Sequence, residues 1–185
     1  DSRNLIFIGA DFERKGGMDL LRAFKSVLKR FPKAKLNIIG PRRISIPPEY
    51  SSGVIYHGFL SKKEPTQKKR FEKILNESVV FVMPSLYEPF GIAPLEAMVY
   101  EIPCILTNAW AFPEMIKPGV NGELIECGNV QELTDKIVSF LENPDHLQEM
   151  GRTGRRLVLE KFTWERVVSN LIREISADAS PMSVP

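Results

Sequence analysis

Short apolar runs, most of them closed by Gly or Pro, alternate with segments of helical spacing along nearly the whole chain. This alternation constrains the fold more than any other feature. "NLIFIG" (4–9), "AKLNIIG" (34–40), "VIYHGF" (54–59), "VVFVMP" (79–84), "PCILT" (103–107) and "GELIEC" (122–127) read as strands. Between them, "GMDLLRAFKSVLKRF" (17–31) places Met18, Leu20, Leu21, Phe24, Val27, Leu28 and Phe31 on one helical face. "KKEPTQKKRFEKILNES" (62–78) is a polar helix anchored by Phe71, Ile74 and Leu75. Three more helices follow, over 130–142, 146–162 and 163–175. "PRRISIPPEYSSG" (41–53) is a loop, rich in Pro and Ser. Short apolar strands alternating with helices predict an α/β fold: a Rossmann-like, doubly wound parallel sheet of six strands covered on both faces. One domain over 1–175 and a disordered tail over 176–185 are the expected organisation.

Bulk properties remove several functions. A net charge of +2 on 185 residues gives no footprint for nucleic acid. No apolar run reaches the roughly 18 residues a membrane span needs. Of two cysteines, Cys104 lies in an apolar run and reads as a core residue. Neither pairing nor zinc spacing is evident, so a reducing compartment is the expectation. The chain opens almost directly on a strand, which suggests a piece of a longer protein.

A doubly wound sheet binds its ligand at the carboxyl ends of its strands. The first such end is "ADFERKGG" (10–17). Arg14 and Lys15 precede Gly16 and Gly17, which open a helix. Glycines admit close approach of a ligand, and a helix N-terminus suits phosphate. An ordinary charged turn is the competing reading. Neither G-x-G-x-x-G nor a Walker sequence occurs.

The fourth strand end is "SLYEPFGIAPLEAMVYEIP" (85–103). Pro94 is tolerated only in a helix's first turn, so the helix starts between Gly91 and Ala93. Glu88 then lies in the preceding loop, and Glu96 in the first turn or so. Glu96 is flanked by Leu95, Ala97, Met98 and Val99. A buried carboxylate needs donors, and a sugar or ribose diol supplies two. Singly, Glu88 could be a cap and Glu96 a dipole-favoured glutamate. Together at one strand end they favour a ligand site.

These residues resemble a known family. Pro84, Ser85, Glu88, Phe90, Gly91, Glu96 and Ala97 match the "PS-x-x-E-x-F-G-x-x-x-x-E-A" stretch of retaining, family 4 GT-B glycosyltransferases. "KGGMDLLRAF", "LNIIG", "YHGFL" and "EIPCILTNAWAFPEMIKPGVNGELIE" match further family blocks in order, over residues 4 to about 175. The resemblance implies the C-terminal, donor-binding half of a GT-B enzyme, with the N-terminal acceptor domain absent. It implies transfer of a hexose from a nucleoside diphosphate to an acceptor hydroxyl, with retention and without a metal or other cofactor. Glu88 and Lys15 carry the catalytic roles by this resemblance. Lys15 contacts the donor diphosphate. Glu88, with the amides of Phe90 and Gly91 and beside Ile92, holds the transferred sugar. Glu96 takes the ribose hydroxyls. Gly40 and the stretch His57, Gly58, Phe59 and Leu60 surround the base, and Gly16 adjoins the phosphate.

Two departures stand out. The family's "G-R-L" after the first strand is here Gly9, Ala10 and Asp11, which leaves Arg14 as the substitute for the missing arginine. Glu101 stands where the family has glycine, so a different turn is expected there. The partners implied are a nucleotide sugar and the acceptor domain, with no nucleic acid. The location implied is cytoplasmic, with membrane association of the full-length enzyme left open. An isolated donor half would have little activity. A non-catalytic nucleotide-sugar module, or an epimerase or phosphorylase on the same fold, are the alternatives. Donor base, sugar and acceptor are not encoded in any residue singled out above.

Overall fold

The computed structural model describes residues 3–178. Six parallel strands, β1 (Asn4–Ile8), β2 (Lys35–Ile39), β3 (Val54–Gly58), β4 (Val80–Met83), β5 (Cys104–Thr107) and β6 (Gly122–Ile125), form one sheet. Their order is β3-β2-β1-β4-β5-β6. Seven helices accompany them among the described residues: α1 (Gly17–Arg30), α2 (Pro65–Asn76), α3 (Ile92–Val99), α4 (Phe112–Met115), α5 (Val130–Glu142), α6 (Pro144–Lys161) and α7 (Trp164–Asp178).

The order reverses between β1 and β4, which pair through Leu5 with Val80 and Ile6 with Phe81. Right-handed crossovers then dictate the layers. The connection through α1 leads from β1 outward to β2, and that through α3 leads from β4 outward to β5. They therefore cover opposite faces. Accordingly α1 packs with α5, and α3 with α6. The core is the sheet itself: every residue of β4 and β5 is buried, as are Leu20, Leu21, Phe24 and Val27 of α1. On α2 the buried residues are Phe71, Ile74 and Leu75, the anchor read from the sequence.

The structure corrects four expectations. The sheet is not covered everywhere: at edge strand β3, Ile55 and Tyr56 are exposed. An edge strand has a neighbour on one side only, so its apolar run overstates its burial. The loop over 41–53 contains a short 3-10 turn, Pro48–Tyr50, and α4 was unforeseen. Glu101 has φ 60, the left-handed backbone that glycine favours, so the glutamate changes the side chain while the backbone stays glycine-like. Of the expected tail, 176–178 belong to α7, and 179–185 lie outside the described residues.

Candidate functional site

The switch point sets the loops after β1 and β4 side by side. Gly16 is the hinge between them. It has φ 73 and serves as N-cap of α1. A Cβ there would lie 2.6 Å from the Pro84 carbonyl carbon, and closer still to its oxygen. Only a glycine allows the two loops to touch at this point.

That contact delivers the central pair. Lys15 Nζ donates to Glu88 Oε2, across 73 residues of chain. Both side chains are largely shielded, at 13% and 11% exposure. Lys15 Nζ also lies 3.6 Å from Met83 Sδ. Arg14 stands beside the pair, 3.8 Å from the same carboxylate oxygen. Its guanidinium donates to the Tyr87 carbonyl at 2.7 Å and to Asp11 at 3.1 Å. The loop after β4 donates back, from Leu86 N to the Arg14 carbonyl at 2.9 Å. Two cations, Lys15 and Arg14, and two carboxylates, Glu88 and the more exposed Asp11, thus share a half-shielded corner between two loops.

Gly91, with φ 85, caps α3 as the Pro94 argument required. A Cβ on it would lie 2.9 Å from the Phe112 ring and 3.3 Å from Glu88 Cγ. The loop after β5 is stitched to the same corner: Thr107 Oγ1 donates to the Ser85 carbonyl at 2.8 Å. The Ser85 hydroxyl is fully buried without a hydrogen-bond partner. Phe90 and Ile92 are exposed at the mouth of this corner.

Glu96 departs from its expectation. It is the fifth residue of α3, where the expected helix start puts it, but its side chain is 34% exposed rather than buried. Its neighbours in sequence are buried, but the carboxylate points out between helices. There Lys62 Nζ donates to Oε1 and lies 4.7 Å over the Phe71 ring. Lys62, Phe71, Glu96 and Tyr100 line a cavity of about 200 Å³. Burial, with Glu72 and Glu96 nearby, pushes the Tyr100 hydroxyl above its ordinary pKa. Lys62 went unnoticed in the sequence because it lies 34 residues away in a lysine-rich run.

The ends of β2 and β3 gather the remaining candidates. Gly40 N donates to the Gly58 carbonyl at 2.9 Å. Phe59 is exposed, with the Arg42 guanidinium 5.7 Å from its ring centre. Two candidates are committed elsewhere. Leu60 is buried in the core. The His57 ring bridges Asn37 Oδ1 at 2.9 Å and Arg70 at 3.1 Å. Arg70 can only donate, so Nδ1 accepts and the proton sits on Nε2. Burial, then the Arg70 charge, lowers the His57 pKa.

Among the described residues, no group of three His, Cys, Asp or Glu side chains is arranged to hold a metal ion. None of the described helices is long and apolar enough to cross a membrane.

A family model described as "Glycosyl transferases group 1" matches residues 1–157. The alpha-maltose-1-phosphate synthase of Mycolicibacterium smegmatis is 34% identical over 122 residues, covering 61% of this chain and 31% of that protein. The C-terminal domain of a glycosyl transferase group 1 family protein from Francisella tularensis superposes with TM-score 0.71 at 24% identity, covering 88% of each chain. Anabaena HepE, solved with UDP-glucose, superposes with TM-score 0.78 at 18% identity, covering 96% of this chain and 49% of that one. These structural likenesses show the fold, that of a GT-B C-terminal domain. The chain spans between 24% and 44% of the length of the first three curated relatives it matches.

Proposed function

The chain belongs to the group 1 glycosyl transferases, and on that premise we propose that it is the donor-binding half of a retaining, family 4 GT-B enzyme. The observation that carries this reading is the convergence of Lys15 and Arg14 on Glu88 across the switch point. Hexose transfer from a nucleoside diphosphate needs cations for the leaving diphosphate and an acceptor for sugar hydroxyls. Both are present in one half-shielded corner, where charge interactions are stronger than in water.

In this reading Lys15, with Arg14 in the place of the family's usual arginine, meets the diphosphate beside Gly16. Glu88 and the amides of Phe90 and Gly91 hold the transferred sugar, with Ile92 at the edge. Glu96 accepts from the ribose through Oε2, since Lys62 occupies Oε1. The base lies at Gly40, Gly58 and Phe59. His57 and Leu60 contribute backbone there, because their side chains are otherwise engaged. The leaving group's charge falls on Lys15 and Arg14, so the reading assigns the step no metal or other cofactor.

The reading places the acceptor site in an N-terminal domain. The match in span with a C-terminal domain from Francisella tularensis supports this division. So does α7, which exposes Trp164, Val167, Val168, Leu171, Ile172 and Ile175 along one face. That stripe suits a second domain. The chain alone would then bind a donor and transfer little. A cytoplasmic location, with any membrane contact made by the full-length enzyme, completes the reading.

Calorimetric titration with UDP, GDP and ADP tests it. One nucleotide should bind selectively, and Glu96→Ala should weaken it. Absence of binding by all three, in the chain and in the full-length protein, would refute the donor-domain reading. A non-catalytic module would bind equally well and leave the full-length protein without transfer.

A further inference from the structure

Trp110 has φ 55. Left-handed backbone is uncommon for any residue with a Cβ and a genuine outlier for a bulky one. Such conformations persist where the surroundings hold them, and they cluster at binding sites. Trp110 is also partly exposed, at 37%. A large apolar ring held in a disfavoured backbone yet left in contact with water is doing something other than filling a core.

Its position says what. The loop that carries it runs from Thr107, bound to the Ser85 carbonyl, to Phe112, whose ring lies against Gly91. Both anchors belong to the segment that holds Glu88. The Trp110 ring meets Tyr87, the residue before Glu88, with centroids 5.8 Å apart at 83°. In such a T-shaped pair, the ring that offers its edge has neither face covered by its partner. Tyr87 is itself 54% exposed. Its carbonyl accepts from Arg14, which fixes the pair beside the charged corner.

We infer that Tyr87 and Trp110 form an aromatic wall for the pyranose ring of the transferred sugar. This rests on the donor-domain reading above and adds to it a specificity element. A pyranose has a rim of hydroxyls and an apolar face of C–H groups. Glu88 and its cations suit the rim, and an aromatic ring suits the face. Neither alone distinguishes one hexose from another; together they test which hydroxyls are equatorial.

The test separates sugar from nucleotide. The chain has two tryptophans. Replacing the exposed Trp164 by Phe leaves Trp110 as the sole indole reporter. UDP-glucose, UDP-N-acetylglucosamine, GDP-mannose and ADP-glucose are titrated against UDP, GDP and ADP. The expected result is an emission change with one sugar nucleotide and not with its diphosphate. Trp110→Ala should weaken that sugar nucleotide about 3- to 10-fold and its diphosphate less than about 2-fold. Trp110→Gly, whose backbone suits φ 55, should melt above Trp110→Ala and show the same loss of sugar affinity. Equal losses for sugar nucleotide and diphosphate would overturn the wall. Full affinity in Trp110→Gly would do so too. If nucleotides bind and depend on Glu96 but ignore Trp110, only this inference fails. If none binds, to the chain or to the full-length protein, the donor-domain reading fails and takes the wall with it.

Discussion

Gly16→Ala is the sharpest test of how the fold makes its site. Two costs add at this position. The first is conformational: alanine at φ 73 costs about 1–2 kcal/mol. The second is steric. The new Cβ would lie 2.6 Å from the Pro84 carbonyl carbon, where ordinary contact begins at 3.4 Å. The loops must part by roughly an ångström, and forced backbone shifts of this kind cost about 1–3 kcal/mol. The total is about 2–5 kcal/mol. For a chain of this size each kcal/mol moves Tm by about 2–4 °C, so a fall of about 4–20 °C is expected.

Gly128→Ala supplies the control. Gly128 has φ 75, nearly the same backbone, but a Cβ there meets nothing within 4 Å. It should lose only the conformational part, about 1–2 kcal/mol or about 2–8 °C. Scanning calorimetry of both variants isolates the contact. Nucleotide affinity should fall in Gly16→Ala, because parting the loops carries Lys15 and Arg14 out of the corner where the diphosphate would sit, and remain intact in Gly128→Ala. Equal melting of the two variants would refute the claim that Gly16 closes the loops on each other.

Three other outcomes are expected. His57 is held neutral with a pKa below its ordinary 6.5; its contribution to stability is complete above that pH and declines as pH falls below it towards the lowered folded value. Urea unfolding across that range should show the decline, and His57→Ala should flatten it; an unchanged slope would exclude His57 as its source. Burial pushes the Cys104 thiol far up while Cys127 is exposed, so iodoacetamide should label Cys127 alone in the folded chain and both after denaturation; rapid native labelling of Cys104 would contradict its burial. Glu88→Gln should tighten binding of the free diphosphate, by freeing Lys15, while weakening the extra affinity contributed by the sugar; loss of both in parallel would mean Glu88 acts only by holding the loops.

The sheet was legible because burial imposes its pattern locally. Residues 130–142 and 17–30 show their helical face within their own span, and β4 and β5 are apolar throughout. What escaped was of two kinds. α4 has four residues, too few for a period to appear. The others are contacts between distant segments: Lys62 with Glu96, His57 with Arg70, Tyr87 with Trp110. Spacing carries no information about these. Trp110 escaped for a further reason, since a left-handed residue usually announces itself as Gly, Asn or Asp. Of the two motif glutamates, only Glu88 is buried in the way the apolar context suggested. Proline and glycine positions located Glu88 in the loop, but helix periodicity alone could not tell that Glu96 faces a gap between helices.

The difference between the glutamates has a chemical consequence. Glu96 is partly exposed, with its partner Lys62 on a solvated loop, so pairing there is weak and readily exchanged for a ligand's hydroxyls. Glu88 and Lys15 are mutually neutralised in a shielded corner, where removing one charge leaves the other buried at a cost of about 3–5 kcal/mol. A neutral ligand has no means of separating them. An anionic group can, because it replaces Glu88 as the partner of Lys15 and leaves the carboxylate free to accept hydroxyl protons. On the donor-domain reading, phosphate and sugar recognition are therefore coupled through one ion pair. A free hexose would find Glu88 already engaged, whereas the same hexose carried on a diphosphate brings the charge that releases it. The pair exists only because strand order puts β1 beside β4, so on the donor-domain reading it is the topology that would build the discrimination between an activated and an unactivated sugar.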